Sequence, residues 1–381
     1  MRYRSRRLAL MVLALLAGAL ATLSVSSALR DVDPPRLYYE VENRLPVGAS
    51  AILFVSSNEP VTYVVTYAGV ELRAVDQDHT FVLDVAPGAN DASVAATDAS
   101  GNETVVTVPI TGIEAVQVRV DVKDRVRAGD PLGVLIGVSD NGARVTGLSA
   151  TFGAAPVDLL ETADGYRAVV PTPFGVEESA ADLIVDVTDE FGRHVSSSHH
   201  VVLDPLPVSV EQLRIPASVL AAVTPEAQAQ ERQLMEEGVA AGGGPPKWTE
   251  PFLMPITGTE TSGFADARRY AQGGPVSYHN GLDLAAPMGT PVHATNDGVV
   301  VVAGQYAVKG GWVMLDHGFG VYSHYFHMSR VDVEPGQRVS RADVIGLVGT
   351  TGLSTGPHLH WEMRLGLTPS NPLIWADKVW P

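Results

Sequence analysis

Residues 279–300 read HNGLDLAAPMGTPVHATNDGVV. Asn280-Gly281 is a strong turn signal, and Leu282 and Leu284 bracket Asp283 with the alternation of a half-buried strand. On a helix the four-residue spacing would put His279 and Asp283 on one face. Here a turn separates them and folds both side chains toward one point. Working outward, Gly356-Pro357-His358-Leu359-His360-Trp361-Glu362 reads as a turn entering a strand. Residues two apart in a strand share a face, so His358 and His360 project side by side while Leu359 and Trp361 face the other way. Tyr325-Phe326-His327-Met328 is a third piece of β pattern, with Tyr325 and His327 expected on one face. Seven of the eleven histidines lie between His279 and His360.

The chain has no cysteine, which excludes disulfides, a thiolate nucleophile, a lipid-bearing Cys and Cys-ligated metal. A metal would have to be held by His and carboxylate, and the three segments together offer two imidazoles and one carboxylate with spare histidines beside them. Three N and O ligands leave a tetrahedral zinc one open position for water, the mark of a catalytic rather than a structural site. Zinc lowers the pKa of bound water to about 7 and polarises a carbonyl, so peptide hydrolysis needs no Ser or Cys nucleophile. A histidine that is not a ligand can take the water proton or hold the developing oxyanion.

The run from Phe252 to Pro372 resembles the lysostaphin/LytM-type zinc metallopeptidases, which cleave peptidoglycan peptides. The matching stretches are HNGLDLAAPMGTPVHATNDGVV, YFHM and VGTTGLSTGPHLHWE, in that order. The resemblance implies that His279, Asp283 and His360 are the ligands of one catalytic Zn2+. It further implies that His327 and His358 are the catalytic histidines, one acting as general base and the other orienting or stabilising the tetrahedral intermediate. The family's Ser-x-Phe-Gly opening appears here with Ala265 after Phe264. Inactive relatives that activate amidases usually lose ligand residues, and this chain keeps the set.

The other histidines are expected to be structural: His317 shaping a turn, His324 on the strand face opposite His327, His293 between strand residues, and His199-His200 on a solvated strand. Glu334 to Val339 and Ile345 to Gly349 form the turn-and-strand pattern of small β hybrid folds, similar to biotinyl or lipoyl carriers. A carrier would need a modifiable lysine in an exposed hairpin, and Lys309 and Lys378 lie outside the motif.

Over the whole chain the composition is that of a folded protein. Hydrophobic residues make up 45% and charged residues 18%, enough apolar surface for real cores and too little charge for a disordered chain. The net charge of −17 becomes −21 once Arg2, Arg4, Arg6 and Arg7 are set aside, and nucleic acid is excluded as a partner because phosphate binding needs clustered Lys and Arg. Those arginines precede an uncharged run from Leu8 to Leu29, with Ser26-Ser27-Ala28 as a cleavage site of small residues. Residues 1–30 are therefore expected to be a signal peptide, or a membrane anchor through residues 8–29.

From Leu37 to Leu203, short Val-rich alternating stretches are punctuated by Gly, Pro, Asn and Asp turns. Val94-Ala95-Ala96-Thr97-Asp98-Ala99-Ser100-Gly101 recurs as Val185-Asp186-Val187-Thr188-Asp189-Glu190-Phe191-Gly192, an offset about the size of one immunoglobulin-like sandwich. Thr224, Pro225, Glu226 to Glu237 and Gly238 read as one capped helix, and Val239 to Pro246 as a flexible linker.

The expected fold is mainly β: two tandem immunoglobulin-like β-sandwiches followed by a C-terminal antiparallel-β LytM-type domain. Its parts are 1–30, the signal or anchor; 31–114 and 115–207, the sandwiches; 208–247, helix and Gly/Pro linker; and 248–381, the peptidase. The expected function is a zinc-dependent endopeptidase that hydrolyses peptide cross-links of peptidoglycan in the cell envelope. The alternatives are a catalytically silent scaffold or amidase activator on the same fold, and a zinc peptidase acting on proteins. The 208–247 arm, directly before a hydrolase, is a candidate cover for its groove, and Ala265 to Val276 a candidate specificity loop.

Overall fold

A computed structural model describes residues 31–175, 177–206, 210–213, 223–270 and 276–380. The expected export segment, parts of the 208–247 arm and part of the 265–276 loop lie outside the described residues. Among the described residues, no helix is long and apolar enough to cross a membrane.

The architecture is mainly β, and the chain divides after Gly112 into two units. Among the described residues of the first, six strands belong to one hydrogen-bonded sheet, built on the long antiparallel hairpin of Ser50–Tyr67 and Val70–Asp84. Strict alternation along Ser50–Tyr67 sends Leu53, Val55, Tyr63 and Val65 into a single core. The pairing register of that hairpin shifts between Ser56 and Val61, the kind of irregularity that lets one strand bend.

The second unit opens with two sheets, of five and four strands, that enclose one core. Leu132, Val134 and Ile136 of strand Leu132–Ser139 contribute from one side, and Leu183, Val185 and Val187 of Ser179–Asp189 from the other. This part continues into the C-terminal domain without a break in packing. The Asn371 amide donates to Asp130 Oδ1 at 2.9 Å, Phe174 meets Phe264 edge-on at 5.0 Å, and Trp380 lies over Gly133, where a Cβ would sit 2.9 Å from the ring.

The C-terminal domain is built on an eight-stranded sheet, with a smaller three-stranded sheet of Pro291–His293, Val344–Leu347 and Arg330–Val331 beside it. The main path of the larger sheet runs Thr259–Ser262, Leu282–Ala285, His358–Leu365, Val321–Met328, Gly310–Asp316, Gly298–Tyr306 and Arg338–Val339, with Thr368–Ser370 beside His358–Leu365. On one face Leu284, Val313, Tyr325, Leu359 and Trp361 join Trp248, Phe252 and Trp375 in the main core. On the other, Trp312, Met314, Tyr322 and Phe326 are covered by Leu234, Met235 and Val239 of helix Pro225–Ala241.

Two expectations about the connector are corrected. The helix, capped by Thr224 as expected, runs one turn beyond Glu237, with Gly238 inside it. A Cβ at Gly238 would stand 3.1 Å from Met314 Sδ, so the missing side chain permits close packing on the sheet instead of ending the helix. The Gly-Pro stretch that follows is no free linker. Phe319 N–H donates to Gly244 O at 2.7 Å and Lys247 Nζ to Asp316 Oδ2 at 2.9 Å. Pro245 O passes where a Cβ on Gly318 would be, 2.0 Å away.

His317 does more than shape a turn. Its ring is fully buried, with Nδ1 2.6 Å from Asp297 O and Nε2 2.7 Å from Ser323 Oγ. Ser323 in turn lies 2.9 Å from Tyr325 Oη, which accepts the Thr295 N–H at 2.9 Å. Burial pushes the imidazole down to about 4, against the opposing pull of the Asp297 carbonyl and Asp316. The unfolded chain, with histidine near 6.5, therefore binds the proton first. Stability present above about pH 6.5 is lost as pH falls toward about 4, by roughly 3 kcal/mol from this residue. We predict that urea midpoints measured between pH 7 and 4 fall less steeply for His317→Asn than for wild type; parallel slopes would contradict the assignment.

Candidate metal centre

The antiparallel register sets Asp283 directly opposite His360, and Phe326 opposite His360 on the other side. Because alternation buries Leu282, Leu284, Leu359 and Trp361 in the core, Asp283, His358, His360 and Glu362 are left on the opposite face. His279 reaches the same point from the turn before its strand. That turn requires glycine: a Cβ on Gly281 would lie 2.3 Å from Trp361 O and 3.0 Å from His360 Nε2. His279 Nε2, Asp283 Oδ1 and His360 Nδ1 thereby converge, with separations of 3.0, 2.9 and 2.7 Å.

The outer nitrogens fix the tautomers. His279 Nδ1 lies 2.7 Å from Gly263 O, and His360 Nε2 lies 3.0 Å from Glu362 Oε1. With those nitrogens donating, both inward nitrogens present lone pairs toward each other and toward a carboxylate. Such a set repels itself unless positive charge sits between its members.

The protonation tendencies say the same. Burial would raise the Asp283 carboxyl, but the His279 and His360 hydrogen bonds outweigh it and hold the group well below the usual carboxylate range. Burial would lower His360, yet Asp283 and Glu362 lift it to about 9. His279 is lowered, chiefly by burial. Among the described residues, the same His279, Asp283 and His360 set is one of two acidic or histidine groups close enough to hold a metal ion. The other, Asp31, Glu59 and Asp98, is an acidic cluster in the first unit.

His327 and His358 stand beside this cluster, their ring centres 4.7 Å apart. His358 Nδ1 donates to Gly356 O at 2.8 Å, and its Nε2 is 3.8 Å from Asp283 Oδ1. His327 Nδ1 donates to Thr351 O at 2.9 Å. Each ring is thus held by one nitrogen, with Nε2 remaining as a proton acceptor. Burial, with His358 and His360 adding to it, pushes His327 down to about 3.

The expected pairing of Tyr325 and His327 on one face is overturned. Tyr325 joins the main core, Phe326 stacks on His360 at 5.0 Å, and His327 turns to the same side as Phe326 because its φ is +63°. A left-handed residue at the strand end breaks the two-residue period, at a cost of about 1–2 kcal/mol. Ala265 likewise has φ +67°, a conformation that glycine adopts freely. His324 is fully buried against Trp312, burial holds it well below its ordinary value, and neither ring nitrogen has a hydrogen-bond partner. His293 bonds Ala342 O, and His200 pairs with Asp182 on an exposed strand.

Sequence reasoning missed Arg268 and the role of Glu362. Arg268 donates to Asp283 Oδ2 at 2.7 Å, leaving Oδ1 for the cluster. Glu362 bridges His360 and Arg364, whose Nε is 2.6 Å away. Glu362 was legible as a third same-face residue after His358 and His360; Arg268 carried no signal, since nothing in its spacing ties it to Asp283. The cluster opens on a groove of about 640 Å³ whose wall includes Arg268, His327, His358, Lys309 and, from the arm, Glu211 and Met235.

Residues 277–372 match the model of Peptidase family M23. Over 98 residues the chain is 45% identical to the peptidoglycan DD-endopeptidase ShyA of Vibrio cholerae, covering 26% of this chain and 23% of that protein. It is 41% identical over 109 residues to ShyB of the same organism, a protein also named a peptidoglycan DD-endopeptidase (29% and 26%). With the DD-carboxypeptidase/endopeptidase Mpg of Neisseria gonorrhoeae it shares 47% over 95 residues (25% and 22%). The chain thus spans about a quarter of the length of these curated relatives.

If the cluster holds a divalent metal ion, Glu362→Gln, which keeps an acceptor for His360 but removes the charge, is predicted to weaken its binding by about 10-fold. Competition with a chromophoric chelator at pH 7 measures this, and an unchanged affinity would show that Glu362 does not tune the site.

Proposed function

With residues 277–372 forming a peptidase family M23 domain, we propose that this chain is a zinc-dependent endopeptidase that hydrolyses peptide cross-links of peptidoglycan in the cell envelope. The observation that carries the proposal is the convergence of two tautomer-fixed imidazoles and one carboxylate, with two further histidines alongside, on the wall of an open groove. His279, Asp283 and His360 would hold one zinc ion. When bound, zinc supplies Lewis acidity, polarising a substrate carbonyl and making water acidic near neutral pH.

The chain's own residues supply the rest. His358, partly exposed to the groove and tied back through Nδ1, takes the proton of the attacking water at Nε2 and delivers it to the leaving amine. His327 is a poor proton acceptor because burial and its neighbouring histidines disfavour its charged form. Held by Thr351, it orients water or a substrate amide through Nε2. Arg268 keeps Asp283 turned toward the cluster. Residues 1–30 would export or anchor the chain, and the two β modules would carry the peptidase toward the wall.

Purified sacculi test the proposal. The zinc-loaded chain should convert cross-linked muropeptide dimers to monomers, and His358→Ala should keep its zinc but lose at least about 10²-fold in rate. Intact dimers in the presence of zinc-loaded wild type would favour the silent scaffold, and cleavage confined to an unfolded protein would favour a protein-directed peptidase.

A further inference from the structure

Helix Pro225–Ala241 lies outside residues 277–372, yet it places a carboxylate directly behind the groove wall, on the backbone of Val308 and Lys309. Glu231 is 2% exposed. One of its oxygens accepts the Val308 N–H at 2.7 Å; the other accepts the Lys309 N–H at 3.1 Å and lies 3.4 Å from Lys309 Nζ. The carbonyls of the same two residues face the other way. Lys309 O accepts the His327 N–H at 2.9 Å, and Val308 O accepts the Leu353 N–H at 2.7 Å. Val308, Lys309, His327 and Leu353 all line the groove.

We infer that Glu231 is a positioning residue: it fixes the 308–309 turn, and through it the backbone of His327 and the 351–355 loop. The inference rests on the peptidase reading for its catalytic consequence, though not for the structural linkage. His327 is held left-handed at φ +63°, a conformation that persists only where its surroundings over-determine it. Its restraints are the Lys309 carbonyl at 2.9 Å and the longer Thr351 N–H contact at 3.4 Å on the main chain, and Thr351 O on the ring. Two adjacent N–H groups and an ammonium converging on one buried carboxylate form a charge-assisted clamp, one that a helix merely packed through Leu234, Met235 and Val239 would not need. An element preceding the M23 domain thereby completes the site, with Met235 of the same helix lining the groove.

The test compares Glu231→Ala and Glu231→Gln with wild type in the full-length chain, using zinc content, sacculus digestion and amide hydrogen exchange. Glu231→Ala should keep its zinc and the protection of strand His358–Leu365, speed exchange over residues 306–311 and at His327, and lower kcat by about 10²-fold with KM little changed. Glu231→Gln, which keeps one acceptor for the turn but turns an amide N–H toward the other donors, should recover only part of both losses. Wild-type exchange and kcat in Glu231→Ala would overturn the inference. So would loss of zinc and helix protection in both variants, since Glu231 would then only hold the fold. If wild type leaves sacculi uncut, the peptidase reading fails, and exchange at 306–311 and His327 still decides the linkage.

Discussion

The structure depends on the pairing of Leu282–Ala285 with His358–Leu365, in which Asp283 faces His360 across two central strands. A slip of Leu282–Ala285 by one residue would send Asp283 into the core, bring Leu282 and Leu284 to the polar face and leave His360 without its partner. The hydrophobic cost of burying the wrong set is what holds the cluster together. Leu282, Leu359 and Trp361 are fully buried and Leu284 nearly so, each worth about 2–3 kcal/mol on burial. The polar side of the sheet can therefore carry a group that would otherwise fly apart. Packing on one face finances chemistry on the other.

On that polar face, charge is arranged in layers. Asp283 sits among two imidazoles and the Arg268 guanidinium, and Glu362 lies between His360 and Arg364. Acidic and basic groups alternate, so each is held in its charged or tautomeric state by the next. The hydroxyl and imidazole chain of His317, Ser323 and Tyr325 is kept separate: Tyr325 points into the opposite core from its neighbour Phe326. A single strand, Val321–Met328, thus serves a structural network on one face and the groove on the other.

Much of this was legible in the sequence because the relevant physics is local. The Asn280-Gly281 turn and the two-residue period of His358 and His360 are short-range signals, and the resemblance of the last third of the chain assigned their roles. The alternation rule failed at His327, where left-handed backbone rotates the ring by one place; no residue type announced it. Arg268 and Glu231 were invisible for another reason. Each reaches its partner from a remote segment, 15 residues away for Arg268 and 77 for Glu231, and a lone charged residue in sequence is indistinguishable from a solvated one. Gly238 misled as a helix stop because its purpose is close packing against Met314, a tertiary fact. The 242–246 glycine and proline run had the composition of a linker but the hydrogen bonds of a docked strap.

The central proposal is that His279, Asp283 and His360 together would hold zinc in a site left open to substrate. X-ray absorption at the zinc edge on the zinc-loaded full-length chain tests it most directly. The account predicts one zinc per chain with two imidazole nitrogens at about 2.0–2.1 Å and further light oxygen donors, and a spectrum that loses one imidazole shell in His360→Ala. A spectrum without imidazole scattering, or one that His360→Ala leaves unchanged, would contradict it.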